Sequence, residues 1–259
     1  MKRFVAVAIM GAMLFTAGCG MSTNAQSKLA KSENKGAVGI IADKAFYKVE
    51  EKTIKKSDKF LSVDVKYPEY SEVQNKELGE KINKRIQEKI KKDIAELTKE
   101  SEQLQKDLAG MKDYEARPYD YVVTYSQKAN AFGIISIKMD YYYYTGGAHG
   151  NTISEVLNYD MKTGEEVSFD KLFKKEGYRQ YIEAKIKEKT DELNKKIREE
   201  NKIEEKDYSV YNFEKLPEKP SYYLDGEKLV IVFGQYEIAP YSEGMPEFSF
   251  EKKEIQKYM

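Results

Sequence analysis

The chain has 259 residues, 41% apolar and 34% charged, with Lys+Arg 44 set against Asp+Glu 44. Such a chain folds around a core beneath a heavily solvated surface, and it has no cationic excess to drive nucleic-acid binding. One Cys excludes an internal disulfide framework and any cysteine metal site, and one His leaves a catalytic zinc short of its usual ligands.

The first element is a leader. Met1-Lys2-Arg3 is a short basic start, and Phe4 to Phe15 is an apolar run too short to span a bilayer as a helix but suited to a signal-peptide core. It ends in Thr16-Ala17-Gly18-Cys19-Gly20, which resembles a bacterial lipobox, with Thr16 where Leu is usual. Small residues at 17 and 18 admit a peptidase, and the thiol of Cys19 is the group that lipidation modifies. Two or more acyl chains, at about 0.8 kcal/mol per buried methylene, hold a protein stably to a membrane. The expected product begins at Cys19. Removing Lys2 and Arg3 from the 44 basic residues leaves 42 against 44 acidic, a net of about −2. Residues 19–39 are small, polar and aperiodic and read as a flexible tether.

Leu61, Val63, Val65 and Tyr67 alternate with polar residues as a half-buried strand that Pro68 stops. Ser71-Glu72-Val73-Gln74 has the spacing of a helix capping box. Leu78, Ile82, Ile86, Ile90, Ile94 and Leu97 then mark a long amphipathic helix reaching Leu108 before Gly110. The charged stretch Lys89 to Asp93 reads as its solvated face. Alternation at Tyr119–Tyr125 and Ile135–Tyr143 predicts an antiparallel hairpin. Ile153–Tyr159 is another strand, turning at Lys162-Thr163-Gly164. A second helix is expected from Ser168, with Leu172, Tyr178, Ile182, Ile186, Leu193 and Ile197 as its stripe. Tyr222–Leu224, Asp225-Gly226 and Leu229–Phe233 make a closing hairpin. The fold class is therefore α+β: antiparallel sheet with two long amphipathic helices packed on one face. The expected divisions are a signal peptide over 1–18, the tether, and two folded halves over 40–150 and 151–259.

Three segments are distinctive: Tyr141 to Asn151 (YYYYTGGAHGN), Asn158 to Gly164 (NYDMKTG) and Tyr236 to Phe248 (YEIAPYSEGMPEF). In this order and spacing they resemble the extracellular module shared by RsiV-like anti-sigma factors and PdaC-like peptidoglycan deacetylases. The resemblance runs from about residue 42 to the C-terminus, with a PdaC-type half first and an RsiV-type half from about residue 150. It implies a cell-envelope setting, since the module senses by binding lysozyme in RsiV-like proteins and sits beside a wall-modifying enzyme in PdaC-like ones. Deacetylase chemistry needs an Asp and two His on a metal plus a further His acid, which one His cannot supply. Only three residues precede the apolar run, so inhibition of a sigma factor across a membrane is not expected.

The candidate ligand-binding residues are Tyr142, Tyr144, Thr145, Gly146, Gly147, His149, Glu237 and Tyr241. The glycines let backbone approach a partner closely, although the loop lacks the Lys-Ser/Thr of a phosphate loop. The plainer reading is a strained strand connection pinned by His149. Glu237, next to Ala239-Pro240, could pair with His149 and raise its pKa, as an acid/base device or, as favoured, a lock between loops. Tyr142 and Tyr144 share one strand face, expected as core or contact surface. The leading expectation is a membrane-anchored, non-enzymatic binding module for lysozyme-like hydrolase or peptidoglycan, without metal, cofactor or nucleic acid. The rivals are a glycan-acting enzyme using His149 and Glu237, and a structural spacer in a lipoprotein complex.

Overall fold

Two sheets and two long helices share the architecture, each helix on its own sheet. The computed structural model describes residues 37–41, 45–71, 73, 75–111, 117–128, 130–205 and 208–259. The leader, Cys19 and most of the stretch read as tether lie outside the described residues. The larger sheet has the order β1 (Ala37–Ile41), β2 (Ala45–Ser57), β3 (Leu61–Ser71), β4 (Tyr119–Gln127), β5 (Ile134–Tyr144), β6 (Asn151–Asp160). The smaller sheet is β7 (Ser221–Asp225), β8 (Lys228–Val232) and β9 (Glu247–Glu251). This is an α+β chain, as its alternating and helical periodicities predicted. Every ladder is antiparallel except β3 with β4, which pair in parallel from Leu61↔Tyr119 to Val65↔Val123. A parallel pair needs a long crossover, and helix α1 (Lys76–Leu108) supplies it.

Helix α1 buries Leu78, Ile82, Ile86, Ile90 and Leu97 against the odd-numbered face of the sheet, where Val63, Val65, Tyr121, Val123, Ile137, Met139 and Tyr141 are buried. Burying each such aliphatic side chain stabilises by about 1.5–3 kcal/mol. The helix starts later than the Ser71 capping box implied. Its N-cap is Asn75, whose Oδ1 accepts from the Leu78 N–H at 3.2 Å, and Ser71 closes β3. Strand β3 also runs through Pro68. The Tyr70 N–H turns away from β2 to the Asn83 side chain at 2.7 Å, so by alternation the Pro68 nitrogen faces away from β2 as well. Strand β4 ends its pairing at Val65, so no ladder bond is lost there. Asp93, expected on a solvated face, is 9% exposed. Its Oδ2 accepts from Tyr121 Oη and Tyr143 Oη at 2.8 Å each and from Lys89 Nζ at 3.0 Å.

The second helix is shorter than expected. Phe169–Leu172 is a separate 3₁₀ turn, and α2 runs Tyr178–Glu200 after Gly177 at φ 86°. Its buried stripe is Ile182, Ile186, Thr190 and Asn194, while Leu193 is exposed. Asn194 wins the inner position by hydrogen bonding: its Oδ1 accepts from the Val210 and Tyr211 N–H groups at 2.9 Å each, and its Nδ2 donates to the Tyr211 carbonyl at 2.8 Å. Ile182 and Ile186 pack with Leu229, Ile231, Phe248 and Phe250 in a second core. Among the described residues no helix is long and apolar enough to cross a membrane.

The smaller sheet meets the larger one on the even-numbered face of β5 and β6. Ser136 Oγ donates to Asn158 Oδ1 and accepts from the Leu224 N–H, and Asn158 Nδ2 donates to the Tyr222 carbonyl, all buried. Farther along the seam Lys138 pairs with Glu247 at 2.7 Å. Strand β6, beyond the expected 150/151 division, pairs along its length with β5 and contributes Leu157 and Tyr159 to the first core. The seam leads to the loop between β5 and β6, where the distinctive segments converge.

A candidate recognition site at the β5–β6 loop

Thr145 to Gly150 connect β5 to β6. Gly146 and Gly147 have φ of 102° and 89°, left-handed backbone that a side chain makes costly. A Cβ at either would meet nothing within 4 Å, so the requirement there is conformational. Gly150 is glycine for the opposite reason. A Cβ at Gly150 would stand 2.4 Å from the Tyr142 ring. Tyr144 Oη donates to the Gly147 carbonyl at 3.0 Å. Tyr142 and Tyr144, expected as core or contact surface, are half-buried supports beneath the loop. The residues they hold up, Thr145 to His149, are exposed.

His149 is brought to the segment after β8. Its ring stacks on Tyr241 with centroids 4.0 Å apart and planes at 25°. Its Nδ1 lies 2.9 Å from the Gly150 carbonyl, and its Nε2 lies 3.4 Å from Tyr236 Oη. A carbonyl only accepts, so Nδ1 carries the proton and, in the neutral ring, Nε2 accepts from the Tyr236 hydroxyl. Tyr236 and Tyr241 are themselves 5.8 Å apart. Three rings thus form one group at the end of the seam, and Tyr236 is 59% exposed.

The group rests on a rigid base. Tyr236 has φ 63°, a conformation that costs a non-glycine residue about 1–3 kcal/mol and persists only where its surroundings impose it. The Gly234–Glu237 turn imposes it. The Glu237 N–H donates to the Gly234 carbonyl at 3.2 Å, and Glu237 Oε2 accepts from the Gly234 N–H at 2.7 Å. Ile238 and Ala239 are buried, and Pro240 precedes the 3₁₀ turn Tyr241–Glu243. Glu243 accepts from Tyr211 Oη at 2.8 Å, and burial together with that carboxylate pushes the Tyr211 phenol up to about 12. The Gln235 side chain accepts the Thr152 N–H at 2.9 Å, tying the turn to β6.

Glu237 therefore spends its carboxylate on its own turn. The lock between the two loops is His149 with Tyr241 and Tyr236. The expected His149–Glu237 pair is not made, and the acid/base device with it. Among the described residues no three His, Cys, Asp or Glu side chains converge to hold a metal ion. Sequence reasoning missed Tyr236 and Gln235 as working parts of the site, and read Gly150 for backbone freedom when it is the room for the Tyr142 ring that requires it. Tyr236 opens one of the distinctive segments, but nothing local announces its positive φ or its approach to a histidine 87 positions away.

Residues 54–152 match the family model described as Deacetylase PdaC, and residues 170–253 match that of a protein of unknown function, DUF3298. The anti-sigma-V factor RsiV of Bacillus subtilis (strain 168) is 29% identical over 257 residues, covering 96% of this chain and 82% of that protein. A crystal structure of a DUF3298 family member from Bacteroides fragilis NCTC 9343 superposes with a TM-score of 0.60 at 15% identity, covering 87% of this chain and 95% of that one. A DUF3298 family protein from Pseudomonas aeruginosa PAO1 gives a TM-score of 0.54 at 16% identity, with 81% and 93% covered. At such identities the two structures speak to the fold alone.

Proposed function

This chain is a PdaC-type segment followed by a DUF3298 segment, the arrangement of an RsiV-type module, and from that premise we propose a membrane-anchored, extracytoplasmic binding module without catalysis of its own. Its partner is a component of the cell envelope, a lysozyme-like hydrolase or the peptidoglycan itself, and Cys19 carries the lipid. The observation that supports this reading best is the group His149–Tyr241–Tyr236, with His149 and Tyr236 exposed and Tyr241 half-buried between them, held on a turn whose hydrogen bonds are internally satisfied. Rigid aromatic side chains with polar tips give contact area at low entropy cost and dominate recognition surfaces. An acid/base pair of His149 with Glu237 would need that carboxylate free, and it is committed to the Gly234 N–H. The anti-sigma relative makes ligand-dependent regulation the natural role for such a module.

The test is binding of the purified chain from Cys19 onward to immobilised lysozyme and to immobilised muropeptides. Micromolar or tighter binding to one of them is expected. Tyr236→Ala should weaken it by about 30-fold, the equivalent of about 2 kcal/mol for a central aromatic contact. Micromolar binding to neither ligand would overturn the proposal.

A further inference from the structure

Strand β6 is an outer strand of the larger sheet, and its free edge is open only in the middle. The Thr152 N–H leaves the sheet to meet Gln235, the Asp160 N–H donates to the Glu165 carbonyl, and the Asn158 carbonyl accepts from Val167 N–H. Even-numbered residues of β6 thus direct their backbone groups away from β5. Gln235 plugs one end of this edge, and residues 165–167 plug the other. Between them lie Ser154 and Val156. Among the described residues no backbone group pairs with their outward N–H and C=O.

A trough follows this window on the face shared with β7. One hollow of about 270 Å³ is lined by Thr152, Ser154, Gln235 and Glu237, and another of about 340 Å³ by Val156, Val167, Phe169 and Pro220. Ser221 lines both. Proteins blunt sheet edges against unwanted pairing, so an edge left open beside two hollows is the exception to explain. We propose that this window binds a short extended segment of a partner protein by strand addition, with its backbone on Ser154 and Val156 and alternate side chains in the two hollows.

The plugs set the length. From Thr152 to Val156 the window spans about 14 Å at about 3.4 Å per residue. That admits four or five residues, and a full β6 from a second copy would run into Gln235 or the 165–167 segment. The lining sets the sign. Glu166, Asp170, Glu218 and Glu237 stand against Lys219 and the arginines paired with Glu166 and Asp170, Arg85 and Arg179. Arg85 is shared with Glu155 at 2.8 Å, so the balance stays negative, which suits a Lys or Arg on the guest strand. This site is separate from the aromatic group and does not depend on what that group binds.

The experiment uses blocked, fluorescein-labelled pentapeptides of alternating Val and Thr with a central Lys, and measures anisotropy together with amide exchange by NMR. Saturable binding is expected, with the exchange of the Ser154 and Val156 amides slowed at least tenfold. Methylating the peptide's backbone nitrogens, or replacing its Lys by Glu, should weaken binding at least tenfold. Val156→Pro removes one edge donor and should do the same, with unchanged thermal unfolding as the check on folding. The methylated peptide leaves the protein untouched, so the test survives a variant that misfolds. No binding of the Lys peptide, equal binding of its methylated form, or no protection of Ser154 and Val156 overturns the proposal. Lysozyme and muropeptide binding are measured in parallel. Peptide binding without either envelope ligand sinks only the proposal of an envelope partner, and the reverse outcome sinks only that of strand addition.

Discussion

Replacing Asp93 by Ala removes the acceptor on which one buried corner of the first core depends. Tyr121 is fully buried and Tyr143 half-buried, and both donate to the same carboxylate oxygen at 2.8 Å. Each phenol left without a partner costs about 1–3 kcal/mol. Lys89, with its side chain 32% exposed, turns to water and adds little. The expected loss is therefore about 2–6 kcal/mol. Asp93→Asn keeps a carbonyl oxygen where both phenols point but gives up the charge, and charge-assisted bonds are roughly twice as strong as neutral ones. About 1–2 kcal/mol is expected for that change. The assay is urea unfolding followed by circular dichroism. With a slope of about 1–3 kcal/mol per molar urea, the Ala variant should unfold at least about 0.7 M earlier than wild type, with Asn in between. An Ala variant within about 0.5 kcal/mol of wild type would refute the argument. An Asn variant as damaged as Ala would refute its acceptor half, since charge alone would then be at work.

Four further outcomes are expected. Burial raises the phenols of Tyr121, Tyr141, Tyr143 and Tyr222 above the ordinary 10.0, and the nearby Asp93 reinforces this for the first three. The folded chain then holds protons that the unfolded chain releases, so this stability is complete below pH 10 and declines as pH rises beyond it; phenolate absorbance should show a set of tyrosines that ionise only with unfolding. Gly150→Ala drives a Cβ into the Tyr142 ring and should destabilise by about 1–3 kcal/mol; adding Tyr142→Ala should return part of that loss, and strictly additive costs in the double-mutant cycle would show that the two do not touch. His149→Ala removes a stacked, exposed ring and should change global stability by only about 0.5–1.5 kcal/mol, while amide exchange at Gly147 to Gly150 quickens. Cys19→Ser should abolish labelling by radioactive palmitate and release the protein from the membrane fraction; unchanged membrane retention would remove the lipid anchor from the proposal.

Much of the fold is legible because periodicity is a local property. Leucines and isoleucines spaced three and four apart specify α1 whatever covers it, and alternating residues specify β4 and β5 as strands in sequence neighbourhoods where nothing competes. The class and the order of the main elements follow from those runs. Strand β2 escaped because Lys and Glu crowd it. Periodicity also misassigned Leu193 over Asn194, since it ranks residues by hydrophobicity and cannot foresee that an amide will find three backbone partners in a loop sixteen and seventeen positions away. The same limit explains Asp93, a charge that reads as surface until two tyrosines from neighbouring strands close over it. The site is the extreme case. Its loop and its second segment stand out as sequence, but His149 meets Tyr241 only because the smaller sheet docks on the outer face of β5 and β6. A chain's local pattern determines which of its faces are apolar; what is laid across each face depends on how all the elements pack, and here that packing decided which tyrosines support the loop and which remain free to meet a partner.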